Sequence, residues 1–226
     1  MNGVWNNSVK NLNSNDISKT MRKKILLSFV LISIGVLSRI WLYKILPSIP
    51  HIYITLAGAR QPLFMMDVFF VIAGISLISG RYLGDLFTFA IPLSIMIITD
   101  ILIGNSMIFL FTWSGFVFMA ITGYITHKKS IFQFFGFGII SVIMYDIWTN
   151  FGCWIGWYEH TIEGLILCYT VAIPFMLWHL ISTSLILPIF SIPLEKIELN
   201  RNRYLSKYIS TSPAIFLIIA SILSVI

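Results

Sequence analysis

Apolar residues occur along this chain in long runs that are separated by short polar clusters. Each run is close to the roughly 20 residues that a helix needs to cross the hydrocarbon core of a bilayer. Pro47 and Pro50 end the first run, Gly80-Arg81 ends the second, and His127-Lys128-Lys129 closes the fourth. The pattern predicts an all-α bundle of six transmembrane helices, at about residues 25–46, 62–79, 83–103, 106–126, 131–151 and 162–190.

The two ends of the chain differ from these runs. Residues 1–20 are rich in Asn and Ser and predict a disordered cytoplasmic lead-in, whereas residues 21–190 form the predicted membrane domain. Charged and apolar residues mix over 191–210, which is typical of an amphipathic segment lying in the membrane interface. The last run, 214–226, is short for a span and fits either a tilted seventh helix or a re-entrant or surface tail.

The composition agrees with a membrane protein. Hydrophobic residues make up 58% of the chain and charged residues only 11%, against roughly 25% charged residues in a soluble domain. The net charge is +6, but the positive charges stand in short clusters between apolar runs. Such clusters set the orientation of membrane proteins, so we expect the lipid bilayer and not nucleic acid as the partner.

The distribution of basic residues predicts the orientation. If the N-terminus is cytoplasmic, only Arg39, Lys44 and Arg60 among the 15 lysines and arginines fall outside. Cytoplasmic loops carry the excess of basic residues in membrane proteins. We therefore expect a multi-pass protein of the cell membrane with its N-terminus in the cytoplasm.

Ionisable residues of the predicted helices concentrate toward their outer ends. Arg39, Asp67, Asp100 and Asp146 all fall there, together with Asn150. Charged groups inside a bilayer are costly and often functional, so the asymmetry predicts a polar chamber that opens outward, with an Arg39–Asp100 ion pair at its wall. The alternative is that these charges pair structurally or reach toward the headgroups.

The densest set of polar groups lies where the fifth helix ends. Asp146, Asn150 and Cys153 are spaced i, i+4 and i+7 and so share one face. Tyr169 lies about two turns into the sixth helix, which descends beside the fifth. The predicted substrate-binding residues are Arg39, Asp100, Asp146, Asn150, Trp154 and Tyr169. The alternative is that Asp146 and Asn150 only cap or bridge helices.

Two further helix faces stand out. Cys168, Ala172, Phe175 and His179 form a stripe on the sixth helix, where His179 is predicted to be a hydrogen-bonded structural histidine. On the first helix, small residues around Gly35 share a face with Arg39. That face packs either within the bundle or against a separate membrane protein.

The chain lacks the common motifs of catalysis and cofactor binding. It contains no GxxxxGK[ST] phosphate loop, no GxSxG elbow and no HExxH pair, and neither of its two cysteines lies in a CxxC pair. We therefore expect no enzymatic activity, no cofactor and no bound structural metal. Uphill transport would need a partner protein or an ion gradient.

Several short pieces occur together in a family pattern. They are Ser38-Arg39, Thr99-Asp100, Thr149 to Trp154 (TNFGxW) and Cys168 to Phe175 (CYxxAIPF). Over roughly residues 25–190 the chain resembles an uncharacterised bacterial membrane family, which is itself similar to the S components of energy-coupling factor (ECF) transporters.

The resemblance implies a function and partners. S components are six-helix proteins that bind a vitamin or metal ion near the outer face, and they associate with a transmembrane coupling protein and two ATPases. By resemblance, residues 48–61 would form a lid over the solute. Two other classes remain open: a membrane scaffold or assembly protein without a solute, and an intramembrane enzyme acting on lipid.

Overall fold

The computed structural model describes residues 14–45, 53–62, 70–104 and 107–196. Within these ranges the chain forms six α-helices and one antiparallel hairpin. The helices are α1 (Ser14–Ile45), α2 (Val71–Ile78), α3 (Phe87–Ile103), α4 (Phe109–Ile125), α5 (Ile131–Trp157) and α6 (Ile162–Lys196). The predicted all-α helix bundle is thus confirmed. Asp67, the first part of the lead-in and the predicted seventh helix lie outside the described residues.

Three of these helices contain segments that are long and apolar enough to cross a membrane, by length and composition. The segments are Thr20–Trp41, Ile131–Trp157 and Ile162–Glu195. The apolar segments Val71–Leu83, Phe87–Ile103 and Phe109–Ile125 are shorter than the predicted spans. Large apolar side chains such as Leu26, Phe132 and Ile166 are exposed on the outside of the bundle. A surface of this kind fits association with a membrane.

The prediction that Gly80-Arg81 ends the second helix is wrong. The helix α2 continues as a π-helical turn over Ser79–Leu83, and Gly84, with a φ of 66°, ends it. Gly80 serves another purpose, because a Cβ at this position would collide with the backbone oxygen of Ala120 in α4. The glycine therefore allows close contact between two helices and does not interrupt one.

The helix boundaries also differ from the predicted ones. The first helix begins at Ser14 and not at about residue 25, and α5 and α6 extend to Trp157 and Lys196. Ser130 and Gln133 form a reciprocal capping box that fixes the start of α5. These helices therefore continue beyond the apolar runs by which they were recognised.

The face of α1 that carries small residues packs inside the bundle. A Cβ on Gly35 would press against the side chain of Ile95 in α3, and Ser28 and Leu31 on the same side are buried. Of the two alternatives left open by the sequence, the structure supports internal packing for this part of α1. Close packing of α1 on α3 also brings Arg39 to the end of α3.

The linker between α1 and α2 contains a β-hairpin, which was not predicted from the sequence. Strand β1 (Tyr53–Leu56) pairs with β2 (Ala59–Pro62). Ala57 and Gly58 form its two-residue turn with φ values of 47° and 80°, as a twisted hairpin requires. The β-prone residues Tyr-Ile-Thr-Leu, followed by Ala-Gly, could have indicated a strand that ends in a turn.

One end of the bundle is held together by ionic contacts. Arg81 is buried, and its Nη2 lies 2.7 Å from Glu195 of α6. The same side chain donates to the carbonyl oxygens of Thr126 (2.5 Å) and Lys129 (3.0 Å), where α4 turns into α5. Lys24 of α1 lies 3.6 Å from Asp85 beside it. We call this the Arg81 end.

Candidate functional site

A cavity of about 420 Å³ lies at the end of the bundle opposite the Arg81 end. It is lined by residues from all six helices or from positions directly beside them. The polar part of its wall consists of Ser38, Arg39, Thr112, Asp146, Thr149, Asn150, Cys153 and His179. The aromatic part consists of Phe70, Phe116, Tyr145, Trp157 and Phe175. A largely apolar wall with a few polar groups is typical of a small-molecule site.

Arg39 reaches the cavity from α1 and is held in place by α3. Its Nη1 donates to Oδ1 of Asp100 at 2.5 Å and also to the hydroxyl of Thr99. The other carboxylate oxygen of Asp100 accepts a hydrogen bond from Nε1 of Trp113 at 2.7 Å. The predicted contact between Arg39 and Asp100 is confirmed. Arg39 lines the cavity, whereas Asp100 lies behind it as the group that positions the guanidinium.

Asp146 and His179 form a second ion pair or hydrogen-bonded pair within the cavity wall. Oδ1 of Asp146 lies 2.5 Å from Nδ1 of His179, and only 1% of the Asp146 side chain is exposed. The imidazole ring stacks on Phe70, with 3.9 Å between ring centroids. The pair joins α5 to α6. Phe70, directly before α2, also contacts α6, because its backbone N–H donates to the hydroxyl of Ser182 at 2.6 Å.

Asn150 and Cys153 extend the same face of α5 toward its end, as the spacing predicted. Nδ2 of Asn150 donates to the backbone oxygen of Asp146 at 2.8 Å. The backbone oxygen of Asn150 accepts from the thiol of Cys168 at 3.4 Å. Cys168 is buried, whereas Cys153 lines the cavity. This face of α5 therefore offers an amide and a thiol to the cavity.

The six predicted substrate-binding residues divide into two groups. Arg39, Asp146 and Asn150 line the cavity; Asp100, Trp154 and Tyr169 are not part of its lining. Nε1 of Trp154 donates to the backbone oxygen of Glu159, and the Tyr169 hydroxyl donates to that of Ile147. These two polar atoms thus bond to the backbone of α5 and of the turn that follows it, and neither residue lines the cavity.

His179 lies in the cavity wall, a position that was not predicted from the sequence. The stripe of Cys168, Ala172, Phe175 and His179 does face inward, and its last two residues line the cavity. His179 was predicted to be hydrogen bonded, which it is, but it was not connected with Asp146. Phe70 and Tyr145 were also missed. The spacing of four residues between Phe175 and His179 could have indicated that both side chains face the same cavity.

Comparisons with known proteins give a family but no function. No curated protein and no solved structure shows a significant match to this chain. One family model, described as a family of unknown function (DUF6580), matches residues 19–203. This match covers all of the described helices from α2 to α6 and nearly all of α1, including every residue that lines the cavity. The chain belongs to this family, DUF6580.

Proposed function

We propose that this chain is the solute-binding subunit of a membrane transporter for a small solute, similar in role to the S components of ECF transporters. The cavity of about 420 Å³ carries the proposal. Small-molecule sites have volumes of roughly 300–1,000 Å³ and combine an apolar wall with a few placed polar groups. The aromatic rings that line this cavity favour an organic solute over a metal ion.

The positions of the charges support uptake from the outside. Arg22, Lys23, Lys128 and Lys129 are exposed at the Arg81 end of the bundle. Basic residues of membrane proteins concentrate on the cytoplasmic side. With that orientation, the cavity lies in the outer half of the bundle and receives solute from outside the cell.

The energy for uphill transport comes, in this proposal, from separate subunits. The chain has no phosphate-binding loop, so nucleotide hydrolysis is assigned to partner ATPases that act through a transmembrane coupling protein. The chain itself then has no catalytic role, and its task is to select the solute and hold it.

The first experiment asks whether a solute is bound. The protein is purified into lipid nanodiscs, and native mass spectrometry followed by denaturing extraction identifies any small molecule that co-purifies. Thr112→Leu adds volume to the cavity wall, and Thr122→Leu, on the same helix α4 but away from the cavity, is the matched control. We expect the solute to co-purify with the wild type and with the Thr122→Leu control, and to be lost from Thr112→Leu.

The opposite result separates the transporter from a scaffold. A wild-type protein that carries no small molecule, and whose thermal unfolding responds to none in a metabolite screen, would contradict the proposal. Chemical crosslinking in native membranes tests the partners. Capture of ATPases and a coupling protein supports the S-component role, whereas a set of cell-envelope assembly proteins would favour the scaffold.

A further inference from the structure

Two charged pairs present opposite charges to different sides of the cavity. Helix α1 packs on α2 and α3 and contributes Arg39, whereas α5 packs on α4 and α6 and contributes Asp146. In the first pair only the cation lines the cavity, because Asp100 lies behind it. In the second pair both Asp146 and His179 belong to the cavity wall, although the Asp146 carboxylate itself is almost fully buried. The cavity therefore has a cation on its α1 side and, with the His179 imidazole neutral, an anion on its α5 side.

Arg39 has hydrogen-bond donors that suit a carboxylate. Its contacts with the other described residues, Met96, Thr99 and Asp100, all use Nη1. The N–H groups on Nε and Nη2 belong to a side chain that is 32% exposed and lines the cavity. One edge of a guanidinium, formed by Nε and Nη2, binds a carboxylate through two parallel hydrogen bonds. The α1 side thus fits an acidic group of the solute.

The α5 side fits a cationic group. Asp146 contributes a carboxylate there, and the rings of Phe70, Phe116 and Tyr145, which contact one another, line the same cavity. Aromatic faces attract ammonium groups, more strongly when water is excluded. A solute with only a negative charge would meet the Asp146 carboxylate, and one with only a positive charge would meet the Arg39 guanidinium.

Resting on the proposed function, we infer that the solute is a small zwitterion with an apolar body. Its carboxylate binds at Arg39, its ammonium group lies toward Asp146, and its apolar body contacts the aromatic wall. Both charges of such a solute have an opposite charge nearby, and its net charge is zero. Such a solute therefore brings no net charge into a site of low polarity, where an added net charge would be costly.

A series of three probes with one branched apolar body tests this inference. Leucine is the zwitterion, leucinamide carries only the positive charge, and 4-methylpentanoate carries only the negative charge. The readout is the rate at which N-ethylmaleimide alkylates Cys153, which lines the cavity, in protein in nanodiscs with the buried second thiol removed by Cys168→Ser. We expect leucine to slow alkylation at concentrations at least about tenfold lower than either analogue, since each lost charge pairing is worth about 1.4 kcal/mol or more.

Two variants assign the charges to their sites. Arg39→Gln should remove the preference for leucine over leucinamide, and Asp146→Asn should remove the preference for leucine over 4-methylpentanoate. Equal or better protection by either singly charged analogue in the wild type overturns the inference, as does no protection by any of the three. The wild-type series decides the matter even if a variant does not fold.

The outcome is separable from that of the proposed function. A co-purified solute that carries a single net charge would overturn the zwitterion inference and leave the solute-binding role standing. Absence of any bound solute, in contrast, contradicts the proposed function itself.

Discussion

Arg39 and Asp100 form an ion pair between α1 and α3, with Nη1 of Arg39 2.5 Å from Oδ1 of Asp100. The second oxygen of Asp100 accepts from Trp113 of α4 at 2.7 Å. A single carboxylate therefore holds three helices at one end of the bundle and fixes the guanidinium that lines the cavity. Without Asp100, Arg39 would lose both its charge partner and its position.

The first prediction concerns the energy of this pair. Arg39→Met leaves a buried carboxylate without its cation, and we expect it to lower the free energy of unfolding by about 3 kcal/mol. The double variant Arg39→Met/Asp100→Leu should lose clearly less, because an apolar pair needs no charge compensation. Equilibrium unfolding of the wild type, the single variants Arg39→Met and Asp100→Leu, and the double variant in mixed micelles gives the coupling energy. Additive losses in the double variant would contradict this account of the pair.

The second prediction concerns the close contact of α2 with α4. A Cβ at Gly123 would collide with the backbone oxygen of Leu77, so Gly123→Ala should force the helices apart and lower the unfolding free energy by roughly 2 kcal/mol or more. Gly136→Ala is the matched control, since its Cβ would meet nothing within 4 Å. In α5 that change should be neutral or stabilise by up to about 1 kcal/mol. Equal effects of the two substitutions would rule out the packing explanation.

The third prediction concerns orientation. In a background of Cys153→Ser/Cys168→Ser, a cysteine introduced by Ser130→Cys lies at the Arg81 end and should stay unlabelled by an impermeant maleimide added to intact cells. The paired substitution Glu159→Cys, in the turn between α5 and α6, should be labelled. Both sites are exposed, so the reagent can reach either one if it is outside. Labelling at Ser130→Cys and not at Glu159→Cys would show that the orientation is opposite to the proposed one.

The fourth prediction separates the residues that line the cavity from those beside it. Asn150→Ala should weaken solute binding by about 1–3 kcal/mol if the amide bonds the solute, with folding unchanged. Tyr169→Phe should leave the affinity unaltered, because its hydroxyl bonds the backbone of Ile147 and lies outside the cavity lining. The measurement is calorimetric titration with the solute that co-purifies. A larger loss in Tyr169→Phe than in Asn150→Ala would place the site elsewhere.

The sequence by itself determined the helical class, the apolar character of the helices and the partnership of Arg39 with Asp100. The helices follow from the length of each apolar run. The ion pair follows because a lone charge is costly in apolar surroundings, so an opposite charge at the same depth is the expected partner. The inward face of Asp146 and Asn150 likewise follows from the helical repeat alone.

Only the tertiary structure decided which distant residues meet. The sequence placed His179 on an inward face but could not pair it with Asp146, since that contact depends on the relative rotation and offset of α5 and α6. The helix was predicted to end at Gly80-Arg81, which is wrong. A glycine that ends a helix cannot be distinguished by sequence from a glycine that allows a neighbouring helix to pack closely. Trp154 and Tyr169 are aromatic residues with polar atoms, as are common in binding sites, yet these atoms bond the backbone oxygens of Glu159 and Ile147. Periodicity fixes the face a residue occupies, whereas its contacts depend on how the helices pack against one another.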